Sequence, residues 1–146
     1  MLTADGKVGN LIIIHTSERF GFHEMFSSTH FVKKYLSINI DKHLRFILSR
    51  FRFGISEIRV HATRYRNISH TDLLCPLCKE SIEDEFHFVL ICPVLNEIRK
   101  TFIPGKYYSR PCRFRLSLLM SSENENIVRN VAMYLFKAFQ MKEQFL

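Results

Sequence analysis

The sequence has little that breaks or bends a chain, with five glycines and four prolines in 146 residues. That scarcity excludes a collagen-like or low-complexity polymer. It also lacks any apolar run near the ~18–20 residues that a membrane-spanning helix needs; near the start the longest is Leu11-Ile12-Ile13-Ile14. No basic leader or small-residue cleavage site accompanies that run, so no signal peptide is expected. The expectation is an intracellular protein of nucleus or cytoplasm, not secreted and without a membrane partner. Acid is scarce as well. Asp and Glu total 14 against 21 Lys and Arg, for a formal net charge of +7. That excess points to a polyanionic partner, nucleic acid ahead of an anionic membrane. What is abundant is apolar: 47% of residues, including 14 phenylalanines. Such a chain can bury a core, which excludes intrinsic disorder over most of its length.

Charge is partitioned along the chain. Lys42, Arg45, Arg50, Arg52, Arg59, Arg64 and Arg66 are opposed only by Glu57. From Asp72 to Glu97 the balance inverts, with Glu80, Glu83, Asp84 and Glu85 between them and Lys79 alone in opposition. From Arg99 to Arg115 there is no acid. Solvated Arg-rich helix faces would give the same pattern. Phe46, Phe51, Phe53 and Tyr65, however, sit among the arginines, and ring plus guanidinium is the chemistry of base stacking beside phosphate contact.

The hydrophobic period predicts a mainly helical protein. Asp41 caps a helix carrying Leu44, Ile47, Leu48 and Phe51 at i, i+3, i+4 and i+7, and Gly54 stops it. Glu18 to Leu36 reads as one or two short helices. Ser122 and Glu125 fit a capping box for a last helix with Ile127, Val128, Val131, Leu135, Ala138 and Phe139 on one face, running nearly to Leu146. Pro104-Gly105 and Pro111 bound a loop. The expected organisation is a frayed or ragged start (1–17), a helical basic segment (18–70), a metal-binding knuckle with its following helix (71–103), and a loop with a C-terminal helical segment (104–146), all packed as one domain.

The chemistry concentrates in Cys75-Pro-Leu-Cys78, His87 and Cys92, a Cys-x2-Cys-x8-His-x4-Cys pattern. Two cysteines separated by two residues turn tightly enough for both thiolates to meet one ion. Three thiolates and an imidazole form the ligand set that closes a tetrahedral Zn2+ site. Ser81 with Asp84 fits a capping box for a helix from Glu83 to Ile91. On an unbroken α-helix His87 and Cys92 would diverge by roughly 140°. Pro93 disfavours helical geometry at Cys92 and opens a new helix, and this kink is expected to return the sulfur toward His87. Disulfides do not fit a chain without a secretory signal. A Cys–His nucleophile does not fit the third cysteine or the lack of a Gly-rich turn. Small core residues are the bland alternative. Cys112 is read as a free thiol, although it or His70 could replace a ligand; His15, His23, His30, His43 and His61 read as surface or ordinary packing.

Residues 50–99 resemble the zinc-binding tail that follows the polymerase domain in non-LTR retrotransposon reverse transcriptases of animals. The resemblance rests on Arg50-Phe51-Arg52, Arg64-Tyr65-Arg66, Leu74-Cys75-Pro76-Leu77-Cys78, Glu83-Asp84-Glu85-Phe86-His87-Phe88 and Cys92-Pro93, and extends more loosely over about 40–140. The chain departs from that pattern at Thr63 (Gly in the family), His61 (Glu) and Ser56 (His). It carries no Tyr-x-Asp-Asp motif or cluster of acids for catalytic magnesium. The resemblance therefore implies a tail fragment or stand-alone derivative, not an enzyme by itself.

Three functions compete at this level. In the first, zinc stabilises a nucleic-acid-binding module, RNA or single strand, with Arg50, Arg52, Arg59, Arg64 and Arg66 on phosphates and Phe86 or Phe88 on a base. In the second, zinc is purely structural and the Glu83-Asp84-Glu85 face with the final helix docks a protein partner. The third is a decayed reading frame without a selected role. Oligomeric state is left open.

Overall fold

Apolar residues at helical spacing must be covered, and here most of them close on one long helix. A computed structural model describes residues 34–63 and 69–145. Within them the protein is mainly helical. The elements are α1 (Lys34–Ser37), α2 (Lys42–Arg52), α3 (Arg59–Ala62), α4 (Asn96–Phe102), α5 (Gly105–Tyr108), α6 (Arg113–Met120) and α7 (Glu125–Phe145), with 3-10 turns at His70–Leu73 and Pro93–Leu95 and a π-helical turn at His87–Ile91. The only β pairing among the described residues is a single antiparallel bridge between Leu74 and Ile82. Residues 1–17, and the helices expected before Lys34, lie outside the described residues.

α2 begins and ends where the sequence requires. The Asp41 carboxylate accepts the His43 N–H at 2.8 Å, answering one of the donors that every helix start leaves over. Gly54, at φ 72°, reverses the chain, and its N–H returns to the Phe51 carbonyl, the usual use of a left-handed residue at a helix end. At α7 the cap differs from expectation. Asn124 takes it, its Oδ1 accepting from Asn126 and Ile127, while Ser122 Oγ accepts the Asn124 N–H. Either side chain can cap; the one adjoining the first helical residue reaches the free N–H groups. The loop bounded by Pro104 and Pro111 holds a short helix, α5, and α6 forms between it and α7.

α7 buries Val128, Val131, Ala132, Tyr134, Leu135 and Ala138 and packs along α2 and α4. At the centre of the core is Phe88, fully buried, with ring centroids 4.8 Å from Phe139, 6.2 Å from Phe51 and 6.5 Å from Tyr134. Truncating such a ring leaves a cavity that close-packed neighbours fill only in part. Phe88→Ala is therefore expected to cost about 3–5 kcal/mol in urea unfolding. A ring free to stack on a base would leave stability near the parental value.

Candidate metal centre

The two cysteines of the first pair sit on a reversed loop. Leu73 O accepts the Glu83 N–H at 2.9 Å and Ser81 O accepts the Cys75 N–H at 2.8 Å, closing the loop at its base. Inside it, Lys79 donates to Cys75 O at 2.8 Å and takes a left-handed φ of 58°. That conformation turns the chain directly after Cys78. Ser81 is consequently not a helix cap, because its carbonyl is committed to Cys75. Asp84 caps instead, its Oδ1 accepting the His87 N–H at 2.7 Å and its carbonyl the Phe88 N–H.

The second pair is brought together by a device other than the expected kink alone. From His87 to Ile91 the helix widens into a π turn, and the Cys92 N–H bonds back to the His87 carbonyl at 2.8 Å. A bond spanning five residues stacks residue i+5 over residue i, the spacing of the two candidate ligands. Cys92 then leaves helical geometry at ψ 120° and Pro93 opens the following 3-10 turn, as a residue before proline and a proline at the first helical position favour.

This turn orphans two carbonyls. Phe88 O loses the Cys92 N–H to His87, and Val89 O faces a proline that has no N–H to give. Buried carbonyls require partners. Tyr134 of α7 donates its hydroxyl to Phe88 O at 2.5 Å, and Arg99 of α4 donates Nε to Val89 O at 2.7 Å. Arg99 also donates to the Tyr134 oxygen at 3.4 Å. Burial pushes the Tyr134 hydroxyl well above its ordinary range, so it stays a donor. Arg99, counted in the basic stretch by sequence, is therefore buried, and only its position one turn after Leu95 hints at that.

The result is a cluster. Ligand atoms of Cys75, Cys78, His87 and Cys92 all lie within 4.8 Å of one another. Cys75 Sγ and Cys92 Sγ are 3.8 Å apart, and Cys78 Sγ is 3.3 Å from His87 Nε2. Thiolates bound at about 2.3 Å in a tetrahedron are separated by about 3.8 Å, so the sulfur pair fits a shared ion. A disulfide needs about 2.05 Å. Without metal, the neighbouring Cys92 sulfur and burial push the Cys75 thiol up to about 12, while Cys92 is lowered, chiefly through its hydrogen bond with Cys75. His87 Nδ1 is buried and has no partner among the described residues. Cys112 is exposed and lies outside the cluster; the side chain of His70 is not among those described.

The surroundings tie the cluster to distant elements. Glu83, fully buried, has Oε1 3.9 Å from Cys75 Sγ, while its Oε2 accepts the Arg59 N–H and the Lys142 ammonium, each at 2.7 Å. Lys142 also donates to Glu57 O. The sequence marks Lys142 only as a cation standing in the apolar stripe of α7. Ser56, His61 and Glu85 form a second brace. The Ser56 hydroxyl is 2.7 Å from His61 Nδ1, which also takes the Ser56 N–H, and His61 Nε2 is 2.6 Å from Glu85. Two of the three positions that depart from the resembled pattern, Ser56 and His61, therefore pair with each other.

The expected nucleic-acid contacts fare differently. Phe88 is core. Arg52 is 5% exposed and donates to Met120 O, so it cannot reach a phosphate; it lies on the same buried side of α2 as Leu48. Arg50 donates to Ile55 O and lies over the Phe46 ring. Arg59 is half-buried, and Arg64 and Arg66 lie outside the described residues. Phe86 is half-buried beneath the Arg113 guanidinium, 5.2 Å from its ring centroid. The acidic run is not a free face either. Glu83 is held by Lys142, Asp84 by the His87 N–H and Arg113, and Glu85 by His61.

No protein-family model, curated protein or solved structure matches the chain. No helix of the described residues is long and apolar enough to cross a membrane.

Proposed function

We propose that Cys75, Cys78, His87 and Cys92 bind one Zn2+ in a structural site, and that the chain is a zinc-stabilised nucleic-acid-binding module of the kind found in reverse-transcriptase tails. RNA or a single strand is the favoured partner. The observation that carries the reading is the convergence of three sulfurs and an imidazole nitrogen within 4.8 Å. Three thiolates and an imidazole suit zinc, and four protein ligands leave no position for a reacting water, which favours a structural role over catalysis. Support for the nucleic-acid part is the net charge of +7 and the acid-free segment beside the centre. Consumption of the acidic run inside the fold weighs against the protein-docking alternative.

Elemental analysis of the purified full chain is expected to find one zinc per molecule, weakened or lost in His87→Ala. Fluorescence anisotropy with a labelled oligouridylate should show binding whose log K falls by about 0.7 per phosphate contact per decade of salt. Absence of metal from the parent would remove the first half of the reading. A salt-independent response, or none, would remove the second.

A further inference from the structure

We infer that the exposed face made by Lys106, Arg110, Arg113 and Phe114, with the half-buried Arg115 at its edge, is where a single-stranded nucleic acid binds. The inference rests on the nucleic-acid reading above and gives it a location different from the one expected in the sequence.

Phe114 is 70% exposed, the highest value among the exposed large apolar side chains. The other side of α6 buries Leu116, Leu119 and Met120, so the helix already has its core face and Phe114 is turned away from it. A ring left in water gains nothing for folding. On both sides of it in sequence stand arginines. Arg113 is fixed by Asp84 at 3.0 Å and by the Phe86 ring beneath it, which joins this face to the metal loop. Arg115 is fixed by Lys106 O, the contact that draws α5 against α6. Arg110 is exposed and has no partner among the described residues.

Charge on this face is arranged against the stability of the helix. The first turn of α6 has no acid, and its N-cap residue Cys112 makes no side-chain hydrogen bond. Cations at the positive end of a helix are unfavourable unless an anion answers them. Apart from Asp84, the nearest stretch of chain offers none, since no Asp or Glu lies between Glu97 and Glu123. Phosphates would answer the cations, and a base would cover the ring. The ring requires a face of a base, which a duplex keeps stacked; hence the single strand. The apolar part of the face is small, Phe114 with Leu118 one turn on, too narrow for the continuous apolar contact of a docked helix.

The test uses the full chain with its metal and two fluorescein-labelled probes, oligouridylate and oligothymidylate. Phe114→Ala is expected to weaken binding of the preferred probe about tenfold while the urea midpoint and zinc content stay at parental values. Arg110→Ala should lower the salt slope by about 0.7. Lys137→Ala, which removes one exposed cation from α7, should change affinity little. If the parent binds and Phe114→Ala and Arg110→Ala bind as tightly, this face is not the site, and the nucleic-acid reading survives without it. If the parent binds neither probe, both fall together.

Discussion

Removing the metal is expected to unfold the middle of the chain rather than to loosen one contact. Cys75, Cys78, His87 and Cys92 gather the Leu73–Glu83 loop, with its single bridge, against the π turn. The unfolded chain has no preformed site, so metal affinity appears as folding free energy, on the order of 10 kcal/mol for small zinc modules. EDTA or Cys75→Ser should therefore abolish the cooperative transition of this region in circular dichroism, and amide exchange should become fast from Leu73 to Leu95. α2 and α7 pack on each other directly and should retain part of their helicity. A chelated protein with the parental melting curve would show that the four side chains are ordinary core.

The same site fixes the sign of a pH effect. The neighbouring Cys92 sulfur and burial push the Cys75 thiol up to about 12, so a metal that binds there must expel that proton. Affinity then climbs about tenfold per pH unit for each proton released, and falls by the same factor on acidification. Titration in weakly buffered solution should record acid released on adding Zn2+. No proton release would mean that Cys75 does not ligate.

The second large effect belongs to Lys142, far from the cluster in sequence. Lys142→Met leaves Glu83 buried, 0% exposed, with the Arg59 N–H as its remaining close donor at 2.7 Å. An uncompensated buried charge costs about 3–5 kcal/mol, and urea denaturation should show a loss of that size. Adding Glu83→Gln to Lys142→Met should recover much of it, because the stranded charge is removed. That double variant separates the pair from mere packing: if it is no more stable than Lys142→Met alone, the loss came from the missing side chain and not from the charge. Weaker metal binding in Lys142→Met is also expected, since Glu83 lies against Cys75 Sγ.

Local rules governed much of this protein from the sequence alone. Asp41 and Gly54 bound α2 because a carboxylate and a left-handed glycine satisfy helix ends within a few residues. The cluster that could hold a metal was legible for the same reason: cysteines and a histidine at these spacings can converge on one ion. The α7 stripe followed from a 3.6-residue period. What the sequence left open depends on groups far apart in the chain. Tyr134 and Arg99 are needed only because the π turn frees the carbonyls of Phe88 and Val89, and no local pattern announces that demand. Glu83 and Glu85 look like a solvated acidic face until Lys142 and His61 are folded against them. Arg52 and Phe88 look like contacts for a ligand until α6 and α7 cover them. Whether a charge or a ring is surface or core is decided by which element closes over it, and that is a property of tertiary packing, which one-dimensional spacing does not carry.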